Sequence, residues 1–228
     1  PARSILRIVT GEQPPIRDLL HIHLRTLFVL DARGRLRTVN ERGGRAAPRV
    51  YSGSGSGERV LRTRSDLPEL VTRSWLACRG EEELREKVAA HGEILTEYRG
   101  PAFILPTQTS SRQEARPVTA ATPLHPDLVA RGWRHDEQAP YFGIIRDGTV
   151  VSVCYSSRLS AEAAAAGVET ASDYRGQGLA LEAVRAWAAA VQSTGRLAFY
   201  STEWSNDASR GLAAKLAAFE FGEDWHLT

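Results

Sequence analysis

Apolar residues recur at helical spacing over 16–24, which predicts a short amphipathic helix. Strand-like runs follow at 27–30 and 36–39, with a turn over 31–34 between them. A second strand pair is expected at 49–51 and 60–63, with Ser52-Gly-Ser-Gly-Ser-Gly57 as a flexible hairpin tip. Two helices come next. One opens at Asp66-Leu-Pro68-Glu69, with Asp66 as its N-cap. The other covers 81–98, starts on Glu81, Glu82 and Glu83 as the helix dipole favours, and stops at Gly100-Pro101. Residues 103–105 read as a strand. Residues 106–116 are polar and linker-like, so the pattern divides the chain into 1–115 and 116–228.

The second half alternates more clearly. A strand over 118–121 and a short helix over 123–132 precede a hairpin, 141–145 and 149–155, with Asp147-Gly148 at its turn. The Ala-rich stretch 161–166 reads as a turn or short helix. Then come a strand (167–170), a loop (171–174), a helix (181–192), a strand (197–201), a helix (207–217) and a last strand within 219–227. No internal repeat is evident. Strands and helices mixed in this order predict an α/β (α+β) fold, with a smaller α+β domain in front.

Composition narrows the class. The chain has 228 residues, 42% hydrophobic and 25% charged, enough to bury a core and too apolar for a mainly disordered protein. No apolar run approaches the roughly 20 residues that span a bilayer. No secretory pattern opens the chain at Pro1-Ala-Arg-Ser-Ile-Leu, and two cysteines, Cys78 and Cys154, make no disulfide framework. A cytoplasmic protein without a structural metal is therefore the expectation. Charge is uneven: residues 1–66 hold 13 Arg and no Lys against 6 acidic residues, whereas 67–228 hold 16 basic against 21 acidic. An Arg-rich half can meet nucleic acid through phosphates. Aromatic residues are sparse there and no nucleic-acid motif accompanies them, so a solvated Arg-rich surface is the plainer reading.

The chemistry concentrates in 167–206. A strand ends, and Arg175-Gly176-Gln177-Gly178-Leu179-Ala180 leads into a long helix. A helix start leaves backbone N–H groups unpartnered and carries positive partial charge, and Gly176 and Gly178 let the chain curl without side chains in the way. The result is a cradle for a pyrophosphate, with Arg175 at its edge. A dinucleotide fingerprint needs a third glycine, and a nucleoside-triphosphate loop needs Gly-Lys-Ser/Thr. Both are absent. The pattern Arg/Gln-x-x-Gly-x-Gly/Ala is complete in Arg175, Gly178 and Ala180, and a glycine-softened helix N-terminus is the alternative.

Tyr174-Arg-Gly-Gln-Gly-Leu-Ala180 resembles the pyrophosphate loop of the GCN5-related N-acetyltransferase (GNAT) superfamily. The hairpin before it, and Asn206 with Leu212, Lys215 and Leu216 after it, are similar to the flanking parts of that family. Gly167-Val-Glu-Thr170, Tyr200-Ser-Thr-Glu-Trp-Ser-Asn206 and Gly222-Glu-Asp-Trp-His226 resemble a bacterial subgroup with an extra N-terminal domain. Ala47-Pro-Arg-Val-Tyr51 and Asp66-Leu-Pro68 are similar to that region, which would serve the acceptor side or be accessory. The resemblance implies a mixed central sheet whose parallel strands splay, and acetyl-CoA as co-substrate. Pantetheine would pair with Val168 to Thr170, and the diphosphate would sit on Gly176, Gln177, Gly178, Leu179 and Ala180 beside Arg175. Asn206 would contact the pantetheine arm; a helix N-cap before 207–217 is the alternative. Transfer to a primary amine of unknown identity would be direct, with Glu169 as general base; a pairing of Glu169 with a neighbouring Arg is the alternative. The family's usual Tyr seven residues after the asparagine is Ala213 here, and its usual Gly is Ala217. Tyr200 and Tyr155 are spare phenols that no spacing assigns.

Other residues carry weaker chemistry. Cys154 on an apolar strand reads as a buried small side chain. His21 and His23 lack companion ligands, His226 reads as a surface or capping residue, and Trp187, Trp204 and Trp225 read as core. Two further functions stand beside the transferase: an acyl-CoA sensor or interaction module with little turnover, and a nucleic-acid-associated protein acting through 1–66. A homodimer is compatible with each.

Overall fold

The structure is a computed structural model that describes residues 14–108, 114–135 and 138–228. The opening segment 1–9 and the middle of the polar stretch 106–116 lie outside the described residues. The chain divides into two compact units: 1–102 with 202–205 and 220–228, and 103–201 with 206–219. This division differs from a single cut near 115, because two C-terminal segments group with the first unit.

In chain order the first unit holds α1 (Ile16–Leu27), β1 (Phe28–Leu30), β2 (Leu36–Val39), β3 (Val50–Gly55) and β4 (Glu58–Thr63). It continues with α2 (Glu69–Leu76), α3 (Glu81–Ala90) and most of β5 (Glu97–Ile104). The second unit holds β6 (Ala115–Pro117), α4 (Pro126–Ala130), β7 (Tyr141–Arg146), β8 (Thr149–Leu159) and β9 (Ala163–Thr170). A 3₁₀ turn (Ser172–Tyr174), α5 (Leu179–Gln192), β10 (Leu197–Ser201) and α6 (Asp207–Lys215) complete it, and β11 (Phe219–Leu227) carries the chain back into the first unit.

In the first unit β3 lies between β4 and β11, antiparallel to both. Helix α1 buries Leu19, Leu20, His23 and Leu24, one stripe of its surface. His23 Nε2 meets Asp224 Oδ2 at 2.7 Å, and the Tyr51 hydroxyl donates to Asp224 Oδ1 at 2.6 Å, so the buried carboxylate is satisfied from two elements. Val50, Trp75, Leu84, Val88, Trp225 and Leu227 form a core cluster of this unit.

Several sequence expectations in this unit are corrected. The Gly/Ser run is strand: β3 continues to Gly55, and only Ser56 and Gly57 turn. Close approach explains it. A Cβ on Gly55 would stand 2.2 Å from the Phe221 carbonyl oxygen, and one on Gly222 2.4 Å from that of Ser54. Asp66 is no cap; it accepts from Arg64 Nε at 2.8 Å, and α2 starts after Pro68 without a side-chain cap. Helix α3 ends at Ala90, because Gly92 turns the chain at φ 151°. Gly100-Pro101 lies inside β5, where a Cβ on Gly100 would come within 1.8 Å of the Thr202 carbonyl oxygen.

The second unit is a mixed sheet in the order β10-β9-β8-β7-β6. The β7–β8 hairpin turns at Asp147 (φ 48°) and Gly148 (φ 77°), left-handed at both positions as a twisted two-residue turn demands. The strand expected at 118–121 is displaced to β6, and the helix expected over 123–132 shrinks to α4. The Ala-rich stretch is neither turn nor helix. Ala163, Ala164 and Ala165 open β9, almost fully buried, and pair in parallel with Leu197, Ala198 and Phe199. The short side chains of Ala164 and Ala166, on one face of β9, belong to the floor on which α5 packs Ala183, Val184, Trp187 and Val191. Tertiary burial overrides the helix propensity of alanine here. Trp187 is completely buried and donates to Ser156 Oγ at 3.1 Å.

Helix α6 ends in a tight reversal. The Ala218 amide reaches back to the Ala213 carbonyl at 3.0 Å, with Ala217 at φ 51° in the left-handed region. Alanine is strained in that conformation by about 1–2 kcal/mol relative to glycine. Ala217→Gly is therefore expected to raise stability by about 1 kcal/mol, read as a higher urea midpoint at unchanged slope.

Candidate functional site

β9 and β10 are paired only at their first three positions. Beyond Ala165 and Phe199 they no longer pair with each other, although β9 runs on to Thr170. On its other edge β9 is antiparallel to β8, and the Ala171 amide donates to the Val151 carbonyl at 2.8 Å. Alternation then turns the amide and carbonyl of Glu169 toward β8 and those of Val168 and Thr170 into the gap. Thr170 is occupied there: its amide donates to Glu169 Oε1 at 3.1 Å and its carbonyl accepts from Arg175 Nε at 3.2 Å. The Val168 groups are the open ones.

A cavity of about 530 Å³ fills this gap. Val168, Glu169 and Thr170 line it from β9 and Tyr200 from β10. Arg175, Gly176, Gly178, Leu179 and Ala180 line it from the loop and start of α5, and Asn206, Ser209, Leu212 and Lys215 from α6. The loop curls as its glycines allow, with Gly176 at φ 76° and Gly178 at φ 79°. Space is open where a Cβ would stand on either. Among the described residues no backbone carbonyl accepts from the amides of Gly176, Gln177, Gly178, Leu179 or Ala180. These are the donors that a helix start leaves over, and they gather in one stretch beside a guanidinium.

Of the residues singled out in the sequence, Val168, Glu169, Thr170, Arg175, Gly176, Gly178, Leu179, Ala180 and Asn206 come together here. The Gln177 side chain does not line the cavity; it bonds back to the Asp173 carbonyl at 3.4 Å. Glu169 is paired: Oε1 lies 2.9 Å from Arg175 Nη2 and 3.5 Å from Arg131 Nη1. Arg131 itself donates to Ser172 Oγ at 2.7 Å, and Asp127 accepts from the Ser172 amide at 2.8 Å. That amide, foremost, holds the Asp127 carboxyl below its usual range. The short helix α4 thus clamps the turn that follows β9. Nothing in the sequence pointed to Arg131, which stands 38 positions before Glu169 with no motif around it.

Asn206 caps α6, accepting from the Ser209 amide at 3.0 Å. Ser209, Leu212 and Lys215 were not singled out together, although their spacing of three places them on one helix face. Ala213 faces the other way and is buried in the core with Leu216. A tyrosine at 213 would therefore meet packed side chains, not the cavity. Tyr200 is 2% exposed, and its hydroxyl bonds the Ser209 hydroxyl. Burial raises its pKa above the usual phenol value.

The remaining candidates are accounted for structurally. Burial pushes the Cys154 thiol well up, as suits a small core side chain. His226 is half-buried and stacked on Tyr98 at 4.8 Å, with its pKa lowered by burial, so it is neither a surface nor a capping residue. Trp204 is 37% exposed and donates to Glu223 at 2.6 Å, whereas Trp187 and Trp225 are core. Many arginines of the Arg-rich segment are committed inside the first unit. Arg49 bonds the Gly92 and Glu93 carbonyls, and Arg35, Arg45 and Arg64 pair with Asp31, Glu41 and Asp66. Among the described residues no group of three His, Cys, Asp or Glu could hold a metal ion, and no helix is long and apolar enough to cross a membrane.

Residues 137–227 match the family model for the GNAT acetyltransferase. The chain carries a GNAT domain. No curated protein matches it. Among solved structures the chain is similar to a GCN5-related N-acetyltransferase from Kribbella flavida, at 14% identity, covering 93% of this chain and 94% of that one, with a TM-score of 0.49. It is also similar to a GCN5-related N-acetyltransferase-like protein from Streptococcus suis, at 15% identity over 80% and 85% of the two chains, TM-score 0.48. An acetyltransferase of the GNAT family from Colwellia psychrerythraea gives 15% identity over 74% and 76%, TM-score 0.48. The matched region contains the whole cavity lining of the GNAT domain, from Val168 to Lys215.

Asn206→Ala removes a helix cap, and the expected cost is about 1 kcal/mol of stability, measured by urea unfolding.

Proposed function

We propose that the chain is an N-acetyltransferase that takes the acetyl group of acetyl-CoA to a primary amine by direct attack. One observation carries this reading. Five consecutive amides, at residues 176–180, have no backbone partner and stand at a helix start that opens on the same cavity as the unpaired edge of β9. An extended chain ending in a diphosphate satisfies both at once: the amides donate to phosphate oxygens, and Val168 exchanges strand-like hydrogen bonds with the arm. Arg175 supplies charge at the cradle, and Asn206 borders the arm from α6. Glu169 is the base in this reading. Its carboxylate takes a proton from the attacking amine once Arg175 is drawn from it toward the diphosphate.

The second reading, an acyl-CoA-binding module with little turnover, is favoured by the same ion pairs. A carboxylate held by Arg175, Arg131 and the Thr170 amide is poorly disposed to accept a substrate proton. The two readings part on thiol release. Wild-type protein mixed with acetyl-CoA and a panel of polyamines, amino acids and peptides is expected to release free CoA with at least one of them. Tight binding with no release from any would support the module instead.

Two variants test the assignments. Gly178→Val places a branched side chain in the open space of the cradle, so acetyl-CoA binding by calorimetry is expected to vanish in a protein that still melts cooperatively. Unchanged affinity would remove the diphosphate from this loop. Glu169→Gln is expected to lower kcat by the roughly 100- to 10,000-fold typical of a general base, with acetyl-CoA affinity changed far less.

A further inference from the structure

The direct transfer proposed above leaves a thiolate, and the family's usual proton donor is absent, since Ala213 is alanine and faces the core. We propose that Tyr200 donates the proton to the leaving sulfur, with Ser209 as the relay that restores it. This inference rests on the transferase reading and adds a catalytic residue to it.

The placement is what distinguishes Tyr200. It lies on β10 just past Phe199, the last residue paired with β9, where the strands begin to part, and it lines the same cavity as Val168. A pantetheine arm entering along Val168 brings its sulfur end into this gap. The other tyrosine of the cavity, Tyr174, stands on the turn that leads into the phosphate cradle and packs edge-on against His125 at 5.7 Å. Tyr155 does not line the cavity. Tyr200 is held from behind by Phe103, with ring centroids 6.4 Å apart. Its hydroxyl bonds Ser209 Oγ, which also lines the cavity and is only half-buried. Burial keeps the phenol protonated at neutral pH, the state an acid must start from.

The protons balance. As the C–S bond of the tetrahedral intermediate breaks, sulfur takes the bonding pair and the Tyr200 Oη–H gives it a proton. The phenolate recovers a proton from Ser209 Oγ–H, and Ser209 from solvent. The proton that Glu169 removed from the amine leaves to solvent in turn, so the cycle closes on free thiol and amide.

The test uses Tyr200→Phe, which keeps the ring and its packing. With acetyl-CoA and whichever amine of the panel turns over fastest with wild type, kcat is expected to fall about 100-fold. Acetyl-CoA affinity by calorimetry is expected to stay within about twofold. Ser209→Ala leaves the buried ring untouched, interrupts only the relay, and is expected to lower kcat about tenfold; it stands in should the Phe variant fail to fold. Wild-type kcat in either folded variant would overturn the assignment while leaving the transferase reading intact. Absence of thiol release from the wild type would overturn the transferase reading, and the acid with it.

Discussion

Backbone amides and carbonyls removed from water need partners, and the second unit leaves two sets of them open at one place. The parallel pairing of β9 and β10 stops after three residues, which exposes the Val168 edge. The chain then turns through two left-handed glycines, so that the first amides of α5 point at the same space. Neither feature is a defect of packing. Each is fixed by its surroundings: β9 is held by β8 along its other edge, and α5 by the core it shares with Ala164, Ala198 and Tyr200 of the sheet. The open groups are thus rigidly aimed, and a ligand that fits them incurs little ordering cost in the protein.

That arrangement depends on small residues in a way that propensity rules misjudge. Ala163, Ala164 and Ala165 suggest a helix or turn when read alone, yet they form the strand on which α5 lies. Gly55, Gly100 and Gly222 look like breakers, yet they sit within strands because a neighbouring carbonyl leaves no room for a Cβ. The signal in both cases is a tertiary approach, invisible in a window of ten residues. By contrast, the β7–β8 hairpin and α5 were legible because their causes are local. Asp-Gly specifies the turn, and apolar positions recurring at three and four residues define the buried stripe of the helix.

The candidate site was legible to the same degree. The proposed phosphate loop is a contiguous string, and its reading needs no fold: glycines, a helix start and a guanidinium. The partners of Glu169 are not contiguous. Arg131 reaches it from just past the end of a five-residue helix, through a clamp in which Asp127 and Ser172 fix one another. Asn206 shows a third situation. The sequence offered a helix cap or a cofactor contact, and the structure shows the cap while placing the residue on the cavity wall, so the two roles are compatible.

In the proposed reaction Glu169 and Arg175 couple the two ends of the chemistry. The carboxylate that would accept the amine proton is held by the guanidinium that would meet the diphosphate, at 2.9 Å. Arg131, at 3.5 Å, is tied to both Ser172 and Asp127, whereas Arg175 is held elsewhere through Nε on the Thr170 carbonyl, which leaves its terminal nitrogens to exchange. A doubly charged diphosphate offers that guanidinium a stronger field than one carboxylate does. Its arrival would therefore release Glu169 in the same step that seats the thioester beside it. A base kept engaged until the acyl donor is in place favours an order in which acetyl-CoA binds before the amine is deprotonated. In the proposed reading that order follows from one shared ion pair.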